Sequence, residues 1–128
     1  MVWNDYLNMM KFKCYSAAVV GFETELCFTT RENGLKLSGM ECSILTKIIK
    51  DKSIINKSIV IEGEEYEYKN FDEKEKIYTM FNKEKGYIII AVTKMVILIG
   101  CSLISNNDYN DCFEQVKYTA DVLKDKGI

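Results

Sequence analysis

The feature that most constrains this chain is the run from Tyr87 to Cys101, apolar along nearly its whole length and interrupted by Thr93 and Lys94. A helix that crosses a bilayer needs about 18 to 20 apolar residues, and this run falls short of that length. It reads instead as two buried strands, Tyr87 to Val92 and Val96 to Cys101, with a turn at the interruption. A chain of 128 residues that is 48% hydrophobic and 28% charged is globular in composition, with no disordered or fibrous signature. At that length it forms one domain, residues 1–128, and can bury roughly two-thirds of its unfolded surface in one core.

The elements around this run follow from local patterns. Trp3, Tyr6, Leu7 and Met10 recur at three- and four-residue spacing, which predicts a short amphipathic helix with aromatics on one face. Ser16 to Phe22 and Glu25 to Thr30 read as a hairpin turning near Glu23-Thr24. Ser38 followed by Glu41 is a capping box, and Met40, Ile44, Leu45, Ile48 and Ile49 carry the second helix to about Asp51. Ser58 to Ile61 and Glu64 to Lys69 flank Glu62-Gly63, a pair suited to a tight turn, and a further strand is expected at Lys76 to Phe81. The last helix is expected to start at Asn107 or Asp108, to bury Cys112, Val116, Ala120 and Leu123, and to end on a left-handed Gly127. This order, α-β-β-α-β-β-β-β-β-α, predicts an antiparallel sheet with helices covering its faces.

Composition also limits the chemistry. The chain has no histidine, so imidazole acid–base catalysis, His-dependent triads and His-ligated metals are excluded, and no catalytic or metal-binding residues are assigned. No phosphate-cradling glycine motif occurs, no cofactor is expected, and a net charge of −2 argues against nucleic acid as the main partner. Glu62, Glu64, Glu65 and Glu67 read as a solvated hairpin rather than a cation site, and the mixed run from Asp72 to Lys76 as a solvated loop. Cys14, Cys27, Cys42, Cys101 and Cys112 are odd in number and scattered, which predicts reduced, mostly buried thiols. The first residues have neither the basic start nor the apolar stretch of a signal peptide, in keeping with a cytosolic protein. Trp3 and Tyr6 either fill a core or form a half-exposed platform, and Tyr118, which lies off the buried stripe of the last helix, poses the same question.

Five segments, at residues 2–7, 17–21, 59–66, 86–100 and 121–128, together resemble those of one family, the profilins. Val2-Trp3-Asn4-Asp5-Tyr6-Leu7 is similar to the family's W-x-x-Y start, and Ala17-Ala18-Val19-Val20-Gly21 to its first strand. Ile59 to Tyr66, the paired strands from Gly86 to Gly100 with Thr93 in their turn, and the ending Asp121-Val-Leu-Lys-Asp-Lys-Gly-Ile resemble further family segments in the right order. The resemblance implies an α+β fold, a profilin-like antiparallel sheet with the N- and C-terminal helices packed together on one face and a further helix on the other. It implies no enzyme, but an actin-monomer-binding regulator of polymerisation in the cytoplasm, associated with the cytoskeleton and acting as a monomer. By position, Tyr109, Phe113, Glu114, Lys117 and Thr93 match the family's actin-facing surface, and Trp3, Tyr6, Tyr118, Val122 and Ile128 its groove for proline-rich proteins such as formins. In that groove Cys27 takes the place of a second-strand tryptophan, Val122 of a helix tyrosine and Ile128 of a terminal aromatic, which implies weakened binding of proline-rich peptides. The family's phosphoinositide binding rests on basic patches, for which this acidic chain gives little support.

Two other readings compete. A longin- or roadblock-type scaffold for trafficking or signalling also layers helices on an antiparallel sheet, and a sensor domain would hold a small ligand in a sizeable apolar cavity. The terminal helix motifs favour the profilin-like reading. Because the thiols are too scattered to form a disulfide framework, the protein is expected to unfold in one cooperative transition whose midpoint is unchanged by reductant. A fall of several degrees on adding reductant in a calorimetric scan overturns that expectation.

Overall fold

The structure is a computed structural model that describes residues 3–29 and 34–128. Among these residues the elements are α1 (Trp3–Lys11), β1 (Ser16–Gly21), β2 (Cys27–Thr29), α2 (Gly39–Lys50), β3 (Ile59–Ile61), β4 (Glu64–Asp72), β5 (Ile77–Asn82), β6 (Gly86–Val92), β7 (Val96–Ser102) and α3 (Asn106–Asp125). The element order expected from the sequence holds. The strands form one antiparallel sheet in the order β2-β1-β7-β6-β5-β4-β3, so the apolar pair β6 and β7 lies at its centre.

Side-chain alternation divides the core between the two faces. Ala17 and Val19 of β1, Ile89 and Ala91 of β6, and Val96 and Leu98 of β7 face α1 and α3, where they meet Leu7, Met10, Cys112, Val116, Ala120 and Leu123. Their neighbours Ala18, Val20, Ile88, Ile90, Ile97 and Ile99 face the opposite way and pack with Cys42, Leu45 and Ile49 of α2. The terminal helices therefore share one face and α2 the other, as the resemblance implies. At Gly100 the helix α3 comes so close that an added Cβ would lie 2.6 Å from a Val116 methyl carbon and 3.0 Å from the Cys14 sulfur. A glycine there sets the depth at which α3 docks. All five cysteines are free, and four of them are buried. Contact with Cys14 and burial both push the Cys112 thiol up, while burial pushes Cys42 up to about 11, so these groups behave as neutral packing atoms.

Local signals account for the start of α2 and for both ends of α3. The Ser38 hydroxyl accepts from the Glu41 amide at 3.1 Å and the Glu41 carboxylate accepts from the Ser38 amide at 3.0 Å, which completes the expected capping box. At the other end of the chain Gly127 has φ 77°, its amide donates to the Lys124 carbonyl and the Ile128 amide donates to the Leu123 carbonyl. This is a Schellman motif, and both Leu123 and Ile128 join the same core. Helix α3 begins earlier than Asn107 or Asp108: Ser105 is its cap, accepting from the Asp108 amide at 3.1 Å and donating to the Asp108 carboxylate at 2.7 Å.

Apart from shifts of one residue at other strand ends, the strands depart from expectation at β2, at β4 and at the start of β5. Strand β2 is shorter than Glu25 to Thr30, because Glu25 adopts φ 55° and closes the turn by donating its amide to the Gly21 carbonyl; Thr30 itself lies outside the described residues. Strand β4 extends to Asp72 through an irregularity between Tyr68 and Asn70. Lys76 has φ 60° and belongs to the turn before β5 rather than to the strand.

The β3–β4 hairpin turns at Glu62 and Gly63, whose φ values of 54° and 78° are those of a type I′ turn. Glu41 serves this turn as well as its own helix. Its two carboxylate oxygens accept from the Glu62 and Gly63 amides, each at 3.0 Å, tying α2 to the edge of the sheet. Glu41→Ala leaves three amides without this acceptor, but the site is open enough for water to replace part of the loss. Its expected cost is about 1–2 kcal/mol by chemical denaturation, with Glu41→Gln losing less because its carbonyl oxygen still accepts. Equal stability of Glu41→Ala and the parent protein overturns this role.

Candidate functional site

Helix α3 separates two surfaces. Its buried stripe of Cys112, Val116, Thr119, Ala120 and Leu123 lies against the sheet, with Tyr109, Phe113 and Lys117 along one flank and Tyr118 and Val122 along the other. Lys117 pairs with Glu75 at 3.8 Å and the Lys124 ammonium donates to the Glu75 carbonyl at 3.3 Å, so the first flank faces the β4–β5 turn. The second flank lies on the side of α1.

On the α1 side, Trp3 and Tyr6 are both half-buried. Trp3 lies 5.9 Å from the Tyr6 ring and 6.2 Å from Phe28, with the Trp3 and Phe28 planes 26° apart. The platform and the core alternatives therefore both apply in part: these rings pack on the core and still reach solvent. A cleft of about 200 Å³ lies beside them, lined by Trp3, Phe28, Met95, Val96 and Ile128 among others. Its lining is almost wholly apolar.

The second-strand position needs correction. Val19 pairs with Phe28 and Val20 with Cys27, and because Val19 faces α1 and α3, Phe28 faces them too. Cys27 points to the other face, where its thiol donates to the Leu35 carbonyl at 3.7 Å and burial pushes its pKa up. The ring beside Trp3 is therefore Phe28, not a vacancy left by Cys27. Alternation of Leu26 with Phe28 was visible in the sequence, but the pairing register that aims Phe28 at Trp3 was not. Ile128 is buried at the end of the cleft, and its carbonyl accepts from the Met95 amide at 2.6 Å. Val122 is half-buried, whereas Tyr118 is 58% exposed and has no ring partner among the described residues.

On the opposite flank, Tyr109 bridges helix and sheet. Its hydroxyl and that of Thr79 share a hydrogen bond of 3.1 Å. Its ring lies 4.6 Å from Tyr87 and 6.0 Å from Phe113, and Tyr87 in turn lies 4.8 Å from Phe81. These four rings form a continuous row from β5 across β6 to α3. Lys69 sits 5.3 Å over the Phe81 ring at one end, and Lys117 follows Phe113 by one helical turn at the other. Glu114 is exposed beside the row. Phe81, Tyr87 and Lys69 were not singled out from the sequence, although the direct pairing of Phe81 with Tyr87 across β5 and β6 makes them one aromatic unit.

Thr93 does not join this surface as a free contact. It is 6% exposed, and its hydroxyl donates to the Val96 carbonyl at 3.1 Å and accepts from the Val96 amide at 3.2 Å. It closes the β6–β7 turn instead. Among the described residues no cluster of Cys, Asp or Glu could hold a metal ion, and no helix is long and apolar enough to cross a membrane.

Comparison with solved structures places this geometry. The fold superposes on Acanthamoeba castellanii profilin IB with a TM-score of 0.80 at 17% identity, over 99% of this chain and 100% of that one. It superposes on Schizosaccharomyces pombe profilin with a TM-score of 0.81 at 20% identity, over the same shares of the two chains. For Acanthamoeba castellanii profilin II the TM-score is 0.79, also at 20% identity with 99% and 100% covered. Identities this low speak to the fold alone. No curated protein matches the chain significantly. The family model for profilin, however, matches residues 1–128. With the whole chain matched and the terminal helices, sheet order and two flanks of α3 arranged as described, this protein belongs to the profilin family of actin-binding cytoskeletal proteins.

Proposed function

We propose that this protein binds actin monomers through the row Phe81, Tyr87, Tyr109 and Phe113, with Glu114, Lys69 and Lys117 at its borders. The observation that carries this reading is the continuity of the row. Partly exposed aromatics held by neighbouring rings lose little side-chain entropy on binding, which suits them to anchor an interface. Thr93 contributes by fixing the turn between β6 and β7 rather than by touching the partner. The protein acts as a monomer in the cytoplasm, without enzymatic activity, and regulates actin polymerisation by holding the monomer.

Phe113→Ala is expected to weaken actin-monomer binding about tenfold or more while the fold is retained, and Glu114→Ala to weaken it less. Unchanged affinity for both variants in a titration against labelled actin monomers, with circular dichroism confirming that they are folded, rejects the placement.

On the other flank we propose that Trp3, Tyr6 and Phe28, with Val122, Ile128 and the exposed Tyr118 at the edge, bind proline-rich segments such as those of formins. A left-handed proline helix is already ordered in solution and stacks on rings at small entropic cost. Val122 and Ile128 bring apolar surface but no ring, so binding is weaker than in a groove lined wholly by aromatics. Phosphoinositides are not assigned to either surface.

A polyproline peptide is expected to change Trp3 fluorescence in the parent protein. Phe28→Ala should weaken binding several-fold and Phe28→Trp should strengthen it, whereas Cys27→Trp, on the opposite face, should bring no gain. A gain from Cys27→Trp without one from Phe28→Trp contradicts the register argument.

A further inference from the structure

The face of the sheet opposite the terminal helices carries a cleft of about 410 Å³ between the end of α2 and strands β4 to β6. Its floor is the stacked pair Phe71 and Tyr78, with ring centroids 4.4 Å apart and planes at 26°. Ile49, Ile55 and Val92 supply branched walls, and Lys52, Lys76 and Glu73 stand around it. We propose that this cleft is a binding site for a small aromatic carboxylate.

The Tyr78 hydroxyl is the first reason. Tyr78 is only 6% exposed, yet it makes no hydrogen bond among the described residues. No fully enclosed side-chain polar atom there lacks a partner, so this hydroxyl keeps some contact with solvent, and Tyr78 itself lines the cleft. The donor is therefore not committed to any protein acceptor, and an anionic oxygen bound beside it in the cleft would replace its water with a charge-assisted bond. Burial, with the Tyr68 phenol beside it, pushes the Tyr78 pKa up, so at neutral pH the group is a donor.

Charge supplies the second reason. Neither Lys52 nor Glu73 has an ion-pair partner among the described residues, and the Lys76 ammonium lies 6.0 Å from the Phe71 ring centre without one. Two ammonium groups against one carboxylate leave a net charge of about +1 at the cleft in a chain whose total is −2. That balance suits a monoanion, whereas the second charge of a phosphate monoester would face Glu73. The volume lies at the small end of the range for ligand pockets, which fits a molecule of about a dozen non-hydrogen atoms. A flat ring on the Phe71–Tyr78 floor with a short acidic arm toward the Tyr78 hydroxyl and the lysines uses each of these features.

The test is a titration of the ¹⁵N-labelled full chain, followed by amide shifts, with 3-phenylpropionate as the probe and 2-phenylethylamine as its charge-reversed control. The acid is expected to shift the amides of Lys52, Glu73, Lys76 and Val92 saturably, with a dissociation constant of about a millimolar or lower, and the amine is not. Tyr78→Phe keeps the stacked floor and removes only the hydroxyl, so it should stay folded and bind the acid about five- to tenfold more weakly; Lys76→Gln should do the same through the lost charge. The site is overturned if the amine binds as well as the acid, or if no saturable shift occurs. It is equally overturned if the shifts gather around Trp3, Phe28 and Ile128, or if folded Tyr78→Phe binds the acid like the parent protein.

Discussion

The pairing of β6 with β7 is the constraint on which the rest of the structure depends. Every residue of β7 is buried, and in β6 Gly86 and the apolar run from Ile88 to Ala91 are buried, with Tyr87 and Val92 half-buried. Two strands of this kind cannot remain at an edge or leave a face open to water, since each exposed isoleucine forfeits about 1.5–3 kcal/mol of burial. Their outer edges must be paired, which β1 and β5 do, and both faces must be covered, which α1 with α3 and α2 do. Thr93 closes the turn between them and so holds the register from Tyr87↔Ser102 to Val92↔Ile97.

From that centre, α3 derives its position and its two functional flanks. Gly100 removes the side chain that would otherwise hold the helix away, and Val116 fills the space. Once the stripe from Cys112 to Leu123 is seated, helical geometry alone puts Phe113 and Lys117 on the side of β5 and Tyr118 and Val122 on the side of α1. A protein of this size can thus offer two aromatic surfaces without either being part of the other, because one buried helix face stands between them.

The β4–β5 turn, Asp72 to Lys76, is the element that touches both sides of the sheet. Glu75 reaches Lys117 and Lys124 of α3, while Glu73 and Lys76 border the cleft beside α2. Its conformation is held from within: the Asp72 carboxylate accepts from the Glu75 amide at 3.0 Å and the Asp72 carbonyl accepts from the Lys76 amide at 2.8 Å. On the far edge Glu41 plays a comparable part, joining the start of α2 to the β3–β4 turn. In both places a carboxylate supplies to backbone amides what a surface turn would otherwise take from water.

The sequence by itself determined the element order, the capping box at Ser38, the tight turn at Glu62-Gly63, the buried stripe of α3 and the left-handed Gly127. Each of these is set by neighbours within a few residues, through the 3.6- and 2-residue periods and the needs of unpaired helix-end groups. Ser105 was missed as a cap because Asn107 and Asp108 carry equally suitable side chains, and only the path of the chain leaving β7 chooses among them. Tertiary structure alone decided that Phe28 rather than Cys27 stands by Trp3, because a strand's facing side follows from its pairing register, and a shift of one residue reverses it. It also decided that Phe81, Tyr87, Tyr109 and Phe113 form one row and that Phe71 and Tyr78 line a cleft with Ile49 and Val92. Those groupings join residues from separate strands and helices, and the distances between such residues are set by packing across the sheet, a quantity that no local pattern of residues contains.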